Sequence, residues 1–229
     1  MKSRVLLLVT VITLLFALMS TSTFAEDAKV YRKSETGSKK IALTFDDGPH
    51  PRLTPKILSV LREYDVKATF FVIGENAQWY SEAMRLLADS PHEIGNHTFS
   101  HRRLLGLSED ETLSEITSCK DILSNDFGIE VSLLRPPQGK LDKSLEERAG
   151  QMGYDIILWN IDTKDWAHTS AGEIASKVLG EVSGGDIILM HDYISGYSPT
   201  CDALRLIIPE LLERGYEFVT VSELIRDEI

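Results

Sequence analysis

From residue 39 onward, short apolar runs alternate with longer amphipathic ones, and no low-complexity stretch or internal repeat interrupts them. The apolar runs are Lys40–Phe45, Ala68–Ile73, Glu93–Gly95, Val131–Leu134, Asp155–Trp159, Asp186–Met190 and Glu217–Val221. Runs this short read as buried strands. Between them, Thr54–Tyr64, Ala77–Asp89, Glu109–Phe127, Lys143–Met152, Gly172–Val182 and Ala203–Arg214 carry apolar residues at helical spacing. Strands alternating with helices predict an α/β fold with a parallel sheet. A doubly wound sheet and a closed barrel both fit that alternation, and position helps to choose. Asp46-Asp47, Asn96-His97, Arg135, Asp162 and His191-Asp192 all fall just after strands. Barrels build their sites from several loops at the C-terminal ends of strands. The short strand near Glu93 makes the expectation a distorted or incomplete (β/α) barrel of about seven parallel strands.

The first 25 residues read differently. Lys2 and Arg4 form a basic start, Val5 to Met19 is an apolar run of 15 residues, and Thr23-Phe24-Ala25 presents small residues where a signal peptidase cuts. The expectation is a signal peptide over 1–25 cleaved after Ala25, an N-terminal extension over 26–38, and one catalytic domain over 39–229. The run is shorter than a spanning helix needs, so a retained anchor is the weaker reading. The product is expected to be secreted or associated with the cell wall.

Loss of Lys2 and Arg4 takes the formal charge from −11 to −13. Such a surface argues against nucleic acid and anionic lipid as main partners. No stable membrane partner is expected, and the chain is expected to be a monomer. Cys119 and Cys201 are the only cysteines. One pair is not a disulfide scaffold, and two free thiols are preferred to a bridge.

Two segments carry candidate chemistry. Thr44–Pro49 ends a strand with two adjacent carboxylates and a Gly-Pro turn, although Asp, Gly and Pro also build ordinary loops. Asn96–His101 holds two histidines at i and i+4, which on a helical turn face the same side and can share a cation. Asp46 or Asp47 could add a carboxylate and leave a position for water. Arg135, Trp166 and Leu189, read singly, could equally be an ion-paired loop residue and plain core.

With these segments the chain resembles the NodB-type polysaccharide deacetylases of carbohydrate esterase family four. Five ordered motifs carry the likeness: Thr44–Pro49 (TFDDGP), His97–His101 (HTFSH), Arg135–Gly139 (RPPQG), Asp162–Trp166 (DTKDW) and Leu189–His191 (LMH). The resemblance implies that Asp47, His97 and His101 hold a divalent metal, usually zinc, with cobalt, nickel or manganese as substitutes. It implies Asp46 as general base and His191 as general acid. Arg135 would orient the base, Asp165 would raise the basicity of His191, and Asp162 would tune the site or cap its loop. Trp166 and Leu189 would wall the pocket for the acetyl methyl, with Pro137 and Gln138 along the groove. A backbone N–H after Asp47 or in the Arg135 loop could help to hold the oxyanion. The implied substrate is an N-acetylglucosamine-containing polysaccharide, from peptidoglycan or chitin-like chains.

Many members of that family have an aromatic residue where this chain has Gln138, which leaves substrate preference open. An O-acetyl xylan esterase would use the same chemistry. A sugar-binding relative without turnover is disfavoured by the complete set of residues. A closed structural zinc site would call for four protein ligands rich in cysteine.

Overall fold

The computed structural model describes residues 27–35, 37–167 and 169–226. The expected signal peptide and its cleavage point lie outside the described residues. Among those residues, no helix is long and apolar enough to cross a membrane.

The strands are β1 (Val30–Tyr31), β2 (Lys40–Asp46), β3 (Thr69–Val72), β4 (Glu93–Asn96), β5 (Leu133–Leu134), β6 (Asp155–Ile157), β7 (Ile161–Asp162), β8 (Ile187–His191) and β9 (Glu217–Phe218). They pair in the order β1-β6-β5-β4-β3-β2-β8-β7, every pair parallel. β9 pairs with the first residues of β2, while β3 pairs with its last ones. The expected parallel barrel is therefore present, distorted and incomplete. All seven anticipated strands appear, together with two that periodicity does not reveal. β1 and β7 are two residues long, too short to show any period.

The interruption lies between β6 and β8. After β6 the chain crosses in three residues, 158–160, to form β7 on the flank of β8. β1 pairs with β6, and Lys33 just beyond it bridges Asp186 at the start of β8. The segment ahead of residue 39 thus spans the weak seam of the barrel.

Successive strand residues point to opposite faces. Ile41, Leu43 and Phe45 of β2 face the helical layer with Phe70, Ile156 and Ile188. Ala42, Phe71, Leu133, Ile157 and Ile187 point inward, where Val219, Val221, Leu224 and Ile225 join them. Both faces are buried, which explains continuous apolar runs in place of alternation.

The helices are α1 (Leu53–Glu63), α2 (Gly74–Trp79), α3 (Ser81–Ala88), α4 (Glu109–Phe127), α5 (Lys143–Gln151), α6 (Ala171–Glu181), α7 (Thr200–Glu213) and α8 (Val221–Arg226). Capping boxes start α4 (Ser108 with Glu111) and α6 (Ser170 with Glu173), satisfying end N–H groups that would otherwise lack partners. The single helix expected over Ala77–Asp89 is two, because Tyr80 leaves helical geometry at φ −119°, ψ 46°. The two thiols are unpaired, and burial pushes that of Cys119 up to about 12.

Candidate active site

Period two carries the strand residues into the site. With Ala42 inside the barrel, Thr44 and Asp46 follow on the same face of β2; with Leu133 inside, so does Arg135. Arg135 is fully buried, and its guanidinium makes four hydrogen bonds. Its Nη1 donates to Asp46 Oδ1 at 2.7 Å and Thr44 Oγ1 at 2.8 Å, Nε to the Ile157 carbonyl, and Nη2 to the Leu158 carbonyl. The guanidinium also lies 4.0 Å from the centre of the Phe71 ring. An ion pair this deep persists only where each polar atom is met, so Asp46 is held in one orientation. Thr44 belongs to this network and was not singled out from sequence, although it sits two residues before Asp46 on the same face.

Asp46 and Asp47 separate because the backbone turns left-handed at Asp47, φ 74°. The Asp47 carbonyl accepts from Asn76 Nδ2 at 2.7 Å, which anchors the turn to α2. Asp47 Oδ1 is buried without a hydrogen-bond partner, yet lies 3.4 Å from His97 Nε2 and 3.3 Å from His101 Nε2.

The histidines reach this point by a route different from the expected helical turn. Residues 97–101 form a loop, with Thr98 at φ 70° and His101 at φ 58°. Asn96 Oδ1 accepts from the Thr98 N–H, Thr98 Oγ1 accepts from the His101 N–H, and Glu115 of α4 binds the N–H and hydroxyl of Ser100. These side chains supply partners that a helix would have given the backbone. The imidazoles still converge, 5.0 Å apart between ring centres. Nothing in the spacing of Asn76 or Glu115 marks them from sequence.

His97 Nδ1 contacts the Arg135 carbonyl at 2.7 Å, which requires the proton on Nδ1 and leaves Nε2 toward Asp47. Burial alone would lower the His97 pKa, but the charges of Asp46 and Asp47 leave it raised. Burial and the His97 charge hold His101 low. Burial opposes ionisation of Asp47, and the surrounding histidines nevertheless hold its carboxyl below the usual range. Donor atoms of Asp47, His97 and His101 lie within 4.8 Å of one another. An orphaned carboxylate oxygen facing two imidazole nitrogens is a set that a divalent cation satisfies, with three protein ligands and an open side.

His191 ends β8 in register with Asp46. Its Nδ1 contacts Asp165 Oδ1 at 2.8 Å and its N–H donates to Asp165 Oδ2 at 2.8 Å. Asp165 is fully buried and also accepts from Thr200 Oγ1 and the Trp166 N–H. Burial would lower the His191 pKa, but Asp165, then Asp46 and Asp47, push it up to about 9. The imidazole is thus cationic at neutral pH, with Nε2 free of Asp165.

The remaining expected residues are less engaged. Leu189 is buried on the same face of β8 as His191. The Trp166 ring is exposed beside the His191–Asp165 pair. Pro137 is buried, and Gln138 stands exposed at φ 61°. Asp162 caps its own loop by accepting from the Lys164 N–H at 2.9 Å. Asp192 lies under the Gly48 turn at 1% exposure, so it does not face a groove.

Comparison with known proteins agrees with this geometry. A family model described as polysaccharide deacetylase matches residues 33–157. The chain is 40% identical over 195 residues to a peptidoglycan-N-acetylglucosamine deacetylase of Bacillus cereus, covering 85% of this chain and 69% of that protein. It is 40% identical over 195 residues to the peptidoglycan-N-acetylmuramic acid deacetylase PdaC of Bacillus subtilis, but spans only 40% of that protein's length. The crystal structure of the Bc1960 peptidoglycan N-acetylglucosamine deacetylase superposes with a TM-score of 0.84 at 37% identity, covering 87% of this chain and 94% of that one. A barrel whose strand ends carry the carboxylate pair, the histidine loop and the buried arginine, inside a matched stretch that contains all three, means that this chain belongs to the polysaccharide deacetylase family.

Proposed function

We propose that the chain is a metal-dependent hydrolase that removes N-acetyl groups from N-acetylglucosamine-type residues of a cell-wall polysaccharide, releasing acetate and leaving the free amine. One observation carries the reading: the Asp46–Arg135 pair and the His191–Asp165 pair border the same Asp47–His97–His101 cluster. A divalent cation held by that cluster, zinc in this proposal, supplies Lewis acidity toward the acetyl carbonyl and lowers the pKa of water.

The chain's own groups supply the proton transfers. Asp46, fixed by Arg135, takes the proton of the attacking water through its Oδ2. The C–N bond then breaks, and His191 gives its Nε2 proton to the departing nitrogen. Asp165 holds the ring in the orientation for that donation and favours its charged form. Leu189 and Trp166 border the acetyl group in this proposal, and Gln138 faces the glycan. Export through the leader at 1–25 would bring the enzyme to its polymer.

The test is acetate release from N-acetylglucosamine oligomers, peptidoglycan and acetylated xylan, with and without chelator. Release from the N-acetylated substrates, abolished by chelator and restored by zinc, is expected. Asp46→Asn should lower turnover about 10²–10⁴-fold. Release from xylan alone would make it an esterase, and chelator-insensitive turnover would refute the metal mechanism.

A further inference from the structure

Beside the cluster stands a group of rings that the chemistry above does not use. His50, three residues beyond Asp47, meets Tyr193, two residues beyond His191, at 4.8 Å between ring centres and an interplanar angle of 88°. Tyr80, at the break between α2 and α3, lies 6.2 Å from His50 and 6.3 Å from Tyr193. All three are half-buried, so part of each ring faces solvent.

The group is held in place. His50 Nδ1 accepts from the Arg52 and Leu53 N–H groups at 3.2 and 3.0 Å, which fixes the ring over the start of α1 and puts its proton on Nε2. The Tyr80 and Tyr193 hydroxyls are bonded to one another. Asp192 locks the two loops together: its Oδ2 accepts from Thr54 Oγ1 at 2.5 Å, and Thr54 Oγ1 accepts from the His50 N–H at 2.7 Å. The Asp192 N–H also donates to the Asp46 carbonyl at 3.1 Å. The fit is close enough that a Cβ on Gly48 would sit 2.0 Å from the Asp192 carboxylate. The rings therefore keep a constant position relative to Asp47 and His191.

Three aromatic faces with hydroxyl and imidazole N–H edges suit an amphipathic ligand that stacks its C–H face and hydrogen-bonds at its rim. We infer that His50, Tyr80 and Tyr193 form a subsite for the pyranose adjoining the one that loses its acetyl group, so that the enzyme reads more than a single sugar. This rests on the deacetylase function proposed above. Packing of loop ends alone would not need three rings that each stay partly solvent-facing.

The test compares the N-acetylglucosamine pentamer with the dimer, using the zinc-loaded protein. Wild type is expected to favour the pentamer, and Tyr193→Ala to lower the pentamer-to-dimer ratio of kcat/KM by about three- to tenfold, through KM. Tyr193→Phe, which keeps the ring, should change that ratio less than about twofold. If Tyr193→Ala does not fold, Tyr80→Ala makes the same comparison. Equal losses on both substrates, or a wild type indifferent to length, overturn the subsite. Wild type that releases no acetate from either oligomer would instead overturn the deacetylase reading.

Discussion

The two ends of the barrel are built to different rules. At the C-terminal ends of the strands, Asp47, Thr98, His101, Gln138 and Lys164 all adopt left-handed backbone, and the buried Oδ1 atoms of Asp47 and Asp192 lack partners. At the opposite end, the chain from β9 into α8 closes the interior with Val219, Val221, Leu224 and Ile225, in one cluster with the inward residues of β2, β3, β5, β6 and β8. Polar groups there find partners: Thr69 Oγ1 accepts from the Val221 N–H, and Glu93 from the Ser222 N–H. A cavity of about 370 Å³ also opens at this end, where Lys67 is bound to Glu223 at 2.5 Å among Lys40, Glu217 and Arg226. The opposite end is not free of either feature, since Asp65 is left-handed and His92 Nδ1 is buried without a partner, but these stand singly, whereas strain and unmet atoms gather where the strands end.

That division predicts separable effects. The largest is expected from His101→Asn, which keeps a residue tolerant of left-handed backbone but removes one of the three proposed metal ligands. Turnover should fall about 10³-fold, about 4 kcal/mol of transition-state stabilisation, with zinc affinity falling alongside in calorimetry. Unfolding of the metal-free protein should move by less than about 0.5 kcal/mol. A collapse of stability would show that the rim also holds the fold.

Leu224→Ala addresses the other end. Loss of a fully buried side chain should cost about 3 kcal/mol in denaturant unfolding, with kcat per folded molecule unchanged. A change in kcat would end the separation.

The smallest effect concerns His191. Its folded pKa is raised, from 6.5 to about 9, so the protonated ring stabilises the metal-free fold below about pH 6.5, and the contribution fades as pH rises through about 9. Asp165→Asn removes the largest favourable contact but leaves Asp46 and Asp47. It should therefore cost about 2 kcal/mol more at about pH 6 than at about pH 10, measured by unfolding at both. In the loaded enzyme the same change should bring the alkaline limb of activity down in pH. A limb that stays in place would remove His191 from the acid role.

Much of the architecture was legible because burial on both faces of a strand leaves an unbroken apolar run, and seven such runs survive as strands. The boundaries of α4 match its amphipathic stretch because a capping box sits at its start and a left-handed Gly128 at its end. β1 and β7 were not legible, since two residues have no period and their pairing depends on β6 and β8. The break at Tyr80 was equally hidden within a run of good helix formers.

For the site, order along the chain was enough to gather Asp46, Asp47, His97, Arg135 and His191, because residues just past parallel strands meet at one end of a barrel, while His101 came from its spacing to His97 and Asp165 from the resemblance to the deacetylases. Their distances were another matter. The spacing of His97 and His101 suggested a helical turn, whereas Asn96, Thr98 and Glu115 bend the chain left-handed and bring the same two nitrogens together. Asp192, which the sequence places only just past a strand, is buried against Gly48. Sequence alone determined which chemical groups share a rim, since alternation and strand order are properties of the chain. Only the tertiary structure decided which atom of each faces which, because that depends on partners from distant segments: Arg135 for Asp46, Asp165 for His191, and Asp192 for the loop that carries Asp47.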